Sequence, residues 1–219
     1  MTNPLDDLSV DPFEIAKQAA QVIAEKTGVA KHDIALGART HFYEGHGIRS
    51  VVHGVRTAAA TGAEIMILTN GCGGIKTSWK PGTVVLISDH INYTGASPIE
   101  GANFVDLTDL YSKRLRDVAR TVDSSLDEGV YMQFRGPHYE TPAEVQMAKI
   151  VGAHLVGMST ALEAIAARQS GLEVMGLALA TNLAAGISDE PLSHAEVLAA
   201  GKEAEPRISA LLAEIVAKL

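Results

Sequence analysis

The chain has 219 residues, of which 47% are hydrophobic, and a formal net charge of −8. That is enough apolar material for one good core, so residues 1–219 are read as a single domain. The acidic balance excludes a nucleic-acid backbone as the expected partner, because neutralising phosphates takes a basic face; a small anion is still possible, since net charge does not set the potential inside a pocket.

The N-terminus, Met1-Thr2-Asn3-Pro4-Leu5-Asp6-Asp7, has neither the basic start nor the apolar run of a signal peptide. No uninterrupted apolar stretch approaches the ~20 residues that span a bilayer, so no membrane partner is expected. The single cysteine, Cys72, excludes an intramolecular disulfide and points to a reducing, cytoplasmic setting.

Asp11-Pro12 predicts a helix start, with Asp as N-cap and Pro in the first turn. Phe13, Ile15, Ala16, Ala19, Ala20 and Ile23 keep helical spacing, and Gly28 ends a helix over 11–27. Ile34-Ala35-Leu36-Gly37 reads as a short buried strand, followed by a helix over 48–60 that Gly62 stops. Strands are predicted at 64–69, 83–88, 130–134, 155–158 and 174–181. Several are almost wholly apolar, as strands covered on both faces are. Helices are predicted at 107–122, 142–151, 160–169 and 194–219. The alternation implies an α/β fold with a largely parallel or mixed sheet. There is no repeat and no Pro/Ser linker.

In such sheets ligands sit beyond the carboxyl ends of strands, and the polar residues gather there. Asn70-Gly71-Cys72-Gly73-Gly74 allows close backbone approach and equally suits a tight turn; it is neither a P-loop nor a dinucleotide fingerprint. Asp89-His90-Ile91-Asn92 is expected to follow the next strand. Met158-Ser159-Thr160 leads into a helix, offering the Ser159 hydroxyl and N–H groups at a positive helix end, or an ordinary N-cap. Arg39 and His41 alternate on an extended segment and reach one side, with Tyr43 further along it. Glu140 stands at a helix entry, where a carboxylate can serve only the helix dipole. Asn182 ends an apolar strand, where its amide needs partners in a ligand or a loop backbone. Cys72 has no nucleophile motif around it.

These segments, Arg39-Thr-His-Phe-Tyr-Glu-Gly-His, Leu68-Thr-Asn-Gly-Cys-Gly-Gly-Ile, Ser88-Asp-His-Ile-Asn, Gly136-Pro-His-Tyr-Glu-Thr, Val156-Gly-Met-Ser-Thr, Thr181-Asn and His194-Ala-Glu-Val-Leu-Ala-Ala-Gly, resemble the trimeric class of purine nucleoside phosphorylases, collinearly from about Gly37 onward. The resemblance implies a single-domain mixed sheet flanked by helices. It also implies cleavage of purine nucleosides by inorganic phosphate to free base and pentose 1-phosphate, with no metal or organic cofactor. By position it implies that Arg39, His41, Ser159 and the Gly71 backbone hold phosphate. Tyr43 and Met158 pack on the ribose, and His194 meets its 5′-hydroxyl. Tyr139 stacks near the base, Glu140 accepts from its N1–H side and Asn182 meets O6 and N7. Phe104 is lent to a neighbouring subunit of a homotrimer, and Val197 lines the pocket edge. Asn182, Glu140 and His41 are the catalytic candidates.

The chain departs from that family at 36–38. The family carries several tens of residues between its first strand and the Arg-containing loop, including a Gly-Ser-Gly phosphate loop and a further histidine. Here Asp33-Ile-Ala-Leu runs directly into Gly37-Ala-Arg39, so one hybrid strand replaces two and some N-terminal strands are lacking. Two alternatives follow: a remnant that binds purine without turnover, and a methylthioadenosine phosphorylase, against which His194 and Asn182 argue.

Overall fold

The computed structural model describes residues 3–36, 40–188 and 193–219. Gly37, Ala38 and Arg39 lie outside the described residues, and with them the junction of the expected hybrid strand.

The chain runs α1 (Pro12–Thr27), β1 (Ile34–Leu36), α2 (Gly47–Ala60), β2 (Ile65–Gly74), β3 (Thr83–Asn92), α3 (Lys113–Val122), β4 (Asp127–Gln133), α4 (Pro142–Ile150), β5 (Leu155–Gly157), α5 (Ala161–Gln169), β6 (Glu173–Leu183) and α6 (His194–Val216). α1 begins as its sequence dictates. Asp11 accepts the N–H of Phe13 at 2.9 Å, Pro12 opens the first turn, and Gly28 closes the helix at φ 70°.

The sheet is mixed. β2 pairs in parallel with β1 and with β6; β6 pairs antiparallel with β3; β3, β4 and β5 are parallel neighbours; and β5 returns antiparallel onto the end of β2. Strands β2, β5, β4, β3 and β6 therefore close a ring, and β1 hangs on the first half of β2. Successive residues face opposite layers. In β2, Met66 and Leu68 pack with Val52, Val55 and Leu162 on one side. Ile67 packs with Leu86, Met175, Leu211 and Ile215 on the other. Two covered faces explain why these strands read as unbroken apolar runs. Among the described residues, no helix is long and apolar enough to cross a membrane.

Three expectations are corrected. The helix expected over 107–122 begins only at Lys113. Asp106 binds the N–H of Thr108 at 2.9 Å and Ser112 caps Leu115 at 3.3 Å, so side chains that compete for backbone amides hold 106–112 out of the helix. The glycine-rich 70–74 is no turn: it continues β2, paired with both β6 and β5. A Cβ on Gly73 would sit 3.2 Å from both Val156 Cγ2 and Ala184 Cβ, so the missing side chain is what lets three backbones meet there. Likewise Asp89–Asn92 belongs to β3, paired with β4, and does not lie beyond it.

Candidate active site

Because β5 runs antiparallel to β2, the carboxyl ends of β4 and β5 arrive from the opposite direction to those of β2 and β6. The segments that carry the candidate residues therefore do not share the single strand-end rim expected of a parallel sheet. Val156 stands opposite Gly73, which on its other side stands opposite Asn182.

The loop after residue 40 brings His41 and Tyr43 together in an unexpected way. Residues Phe42–Glu44 form a 3-10 turn rather than an extended segment, and the two rings stack with centroids 4.8 Å apart. Glu44 closes the turn, accepting the His41 backbone N–H at 2.7 Å and lying 3.1 Å from its Nδ1. Those bonds, the backbone one foremost, hold the Glu44 carboxyl below its usual range. An acceptor at Nδ1 makes that nitrogen the donor and leaves Nε2 for a ligand. Arg39, the expected guanidinium partner, lies outside the described residues.

Tyr43 meets the second segment at Gly136, where φ is 68° and an added Cβ would lie 2.9 Å from Tyr43 Cδ1 and 2.5 Å from Met158 Sδ. A glycine is therefore required, and it draws Tyr43, Met158 and the 136–141 loop into one wall. From that loop Tyr139 reaches His194, with its hydroxyl 3.4 Å from Nδ1. Val197, one turn further along α6, is half-buried. Remote stretches thus meet at two points, Tyr43 with Met158 at Gly136 and Tyr139 with His194.

Glu140 is not a helix cap. Thr141 caps α4 through the N–H of Glu144, and Glu144 returns the bond to Thr141 N–H at 2.7 Å. That leaves the Glu140 carboxyl 7% exposed, with Oε1 buried and unpartnered. Burial raises its pKa above the usual glutamate value, and it acts electrostatically on Cys72 in β2. A buried acceptor without a donor is what a ligand N–H satisfies. Asn182 stands on the neighbouring strand: its Nδ2 donates to Leu183 O at 2.8 Å, and its Oδ1 accepts from Thr181 Oγ1 at 2.9 Å. The loop backbone is therefore its partner here. Thr181 Oγ1 also lies 3.2 Å from the Cys72 carbonyl, tying the end of β6 to β2. The Cys72 thiol is buried, faces the Leu179 carbonyl at 3.4 Å, and is pushed well above its usual pKa by burial, the condition of a packing residue.

Ser159 is placed differently from the expectation. The N-cap of α5 is Thr160, not Ser159. The amides of the first turn are already taken: Thr160 N–H by Glu163 at 2.6 Å, and Ala161 and Leu162 N–H by Gln133 Oε1 at 2.7 and 3.3 Å. The positive helix end is thus neutralised by the chain's own acceptors, so the Ser159 hydroxyl is what this loop offers an anion. Gly71 is exposed on β2, next to Asn70, whose Nδ2 reaches Thr160 Oγ1 at 2.9 Å. Phe104 stands apart, 97% exposed, on a loop fixed by the Arg49–Glu100 ion pair and by Asn103 Nδ2 on the Glu100 carbonyl at 2.7 Å. Among the described residues no three His, Cys, Asp or Glu converge as metal ligands. Glu163 and Glu44 are site residues that the sequence reading does not single out, although Thr160-Ala-Leu-Glu163 spells a capping box.

The family model described as the phosphorylase superfamily matches residues 11–217. A purine nucleoside phosphorylase from a Cellulomonas species is 54% identical over 272 aligned positions, covering 98% of this chain and 96% of its own. The Mycobacterium tuberculosis protein of the same name is 47% identical over 261 positions, covering 95% and 97%. Both alignments are longer than this chain's 219 residues, so each relative carries a stretch with no counterpart here. A crystal structure of a Schistosoma mansoni purine nucleoside phosphorylase in complex with inosine superposes with a TM-score of 0.89 at 27% identity, covering 96% of this chain and 99% of that one.

Proposed function

The chain belongs to the phosphorylase superfamily, and from that premise we propose that it cleaves 6-oxopurine nucleosides with inorganic phosphate, releasing the free base and pentose 1-phosphate for purine salvage. The observation that carries the proposal is the buried Glu140 carboxyl, whose Oε1 has no donor and is left for a ligand N–H.

In this reading a phosphate oxygen attacks C1′ while the C1′–N9 bond breaks and its electron pair passes into the purine. Positive charge builds on the sugar and negative charge on the base. Arg39, His41, Ser159 and the backbone at Gly71 hold phosphate beneath C1′, where it is both nucleophile and counter-charge, and positioning makes the encounter unimolecular. Glu140 accepts from purine N1–H, fixing the base. Asn182 donates toward N7 and O6 as their charge grows, a gain realised mainly in the transition state. Tyr43 and Met158 pack on the sugar, Tyr139 on the base, and His194 with Val197 closes the 5′ end. No cofactor is needed, because phosphate supplies the nucleophile. Purified protein is expected to release hypoxanthine from inosine only when phosphate is present. Absence of release at every phosphate concentration would remove the catalytic reading.

The missing stretch, which we place at 36–38, favours a second reading: a remnant that binds purine without turnover. Charge-assisted bonds contribute roughly 1.5–3 kcal/mol each, so losing a phosphate loop weakens anion capture steeply. Calorimetry separates the two, because a remnant keeps hypoxanthine and loses phosphate. A methylthioadenosine phosphorylase is disfavoured by Asn182, which suits a 6-oxo group, and by His194, an imidazole where a 5′-thioether needs an apolar neighbour.

The exposed Phe104 supports a homotrimer in which it completes a neighbour's pocket. Phe104→Ala is expected to raise the KM for inosine about tenfold, the effect of losing one large apolar contact, with the Tm unchanged because the side chain is free in one subunit. A monomeric mass by light scattering, or an unchanged KM, would remove this role.

A further inference from the structure

Thr160 is the sole non-glycine residue with positive φ among those described, at φ 89° and ψ −49°. For a β-branched side chain this is a true outlier, kept only where surrounding groups over-determine it. Here they are visible. Glu163 Oε2 accepts the Thr160 N–H at 2.6 Å, Asn70 Nδ2 donates to Thr160 Oγ1 at 2.9 Å, and the Tyr131 hydroxyl accepts the Ser159 N–H at 3.3 Å. Gln133 holds the next two amides. Glu163, Thr160 and Asn70 are all buried, at 3%, 2% and 4% exposure. The room beneath is fitted as closely: a Cβ on Gly157 would fall 2.4 Å from the Tyr131 hydroxyl.

The peptide that joins Ser159 to Thr160 turns with the φ of Thr160. Relaxing that torsion to an ordinary value swings the peptide and moves the Ser159 hydroxyl, which now lies 3.4 Å from Thr160 Oγ1. We propose that Glu163 is a positioning residue for phosphate: by clamping Thr160 in its unfavourable conformation, it aims Ser159 at the anion. The inference rests on the proposed phosphorolysis and on Ser159 as a phosphate ligand. With the amides of the first turn of α5 already occupied, a correctly aimed hydroxyl is this loop's remaining contribution to the anion, so its placement matters more than in a helix end left open.

The test varies phosphate and inosine separately in steady state and titrates inorganic phosphate by calorimetry, so that binding is read independently of turnover. Glu163→Leu, which removes the acceptor at similar volume, is expected to raise both the KM and the Kd for phosphate about tenfold, with the KM for inosine within about twofold. Glu163→Gln keeps an acceptor oxygen and should stay within about threefold of the parent. Glycine adopts positive φ without a clamp, so adding Thr160→Gly to Glu163→Leu should recover most of the lost phosphate affinity. A purely structural role for Glu163 predicts no such recovery.

Unchanged phosphate constants in folded Glu163→Leu, an equal rise for inosine, or no recovery with Thr160→Gly would each overturn the proposal. Should Glu163→Leu not fold, Thr160→Gly alone decides: phosphate constants near the parent's support the clamp, and a tenfold rise refutes it. Ser159→Ala isolates the premise. If it leaves phosphate affinity unchanged, the phosphate assignment fails with everything built on it. If it weakens phosphate while Glu163→Leu does not, only the clamp fails.

Discussion

Asn182→Ala is expected to lower kcat/KM for inosine by about 10²–10³, the usual effect of removing one donor aimed at developing charge in a water-excluded site. Most of the loss should fall on kcat, because the bond strengthens as the purine gains charge. Asn182→Asp gives a sharper result. The Leu183 carbonyl now accepts from Asn182 Nδ2 at 2.8 Å, while Thr181 donates to Oδ1 at 2.9 Å. A carboxylate keeps the second contact and repels the first, so its free oxygen turns toward the base. There it accepts from a 6-amino group and opposes a 6-oxo group. The ratio of kcat/KM for adenosine over inosine should rise, and an unchanged ratio would take Asn182 out of the base site. Asn182 Nδ2 carries two hydrogens, so its bond to Leu183 orients the amide and leaves the second N–H for the base.

Glu140→Ala is expected to cost about 10² in kcat/KM, since it removes a charged acceptor from a buried site. The pH dependence is the more diagnostic measurement. Burial raises the Glu140 pKa, and the ionised form is the one that accepts N1–H. The acid limb of kcat/KM should therefore lie above the ordinary glutamate value near ~4.3 and be absent in Glu140→Gln.

Stability carries the opposite sign. Between the unfolded value and the raised native one, the folded chain binds more protons than the unfolded chain. Stability then falls as pH rises through that window. In Glu140→Gln that fall should vanish, measured as Tm against pH. A parent and variant with parallel Tm curves would mean that Glu140 titrates as an exposed carboxylate.

Much of the fold is legible in the chain. Asp11-Pro12 and Gly28 mark α1, and the doubly covered strands announce themselves as apolar runs, because local caps and burial on both faces leave a one-dimensional signature. The departures share a cause. Residues 70–74 look like a turn, since a glycine run carries no record of which neighbour its missing side chains admit. Val156 and Ala184 supply that answer from over eighty residues away. Residues 107–112 look helical until Asp106 and Ser112 capture the amides. At the site, the residue types and their order were readable. The antiparallel seam, the stacking of His41 on Tyr43 and the occupied amides of α5 were not, because each depends on groups brought together only by folding.

By itself the sequence determined the family, the mixed α/β class and the identity of the polar groups, since these are set by composition, periodicity and short contiguous motifs. The tertiary structure alone decided which groups remain available. It spent the first-turn amides of α5 on Gln133 and Glu163 and oriented Asn182 on Leu183, yet left Oε1 of Glu140 buried with no donor. Hydrogen-bond capacity is local to each residue, but whether it is satisfied depends on the three-dimensional neighbours that fill it.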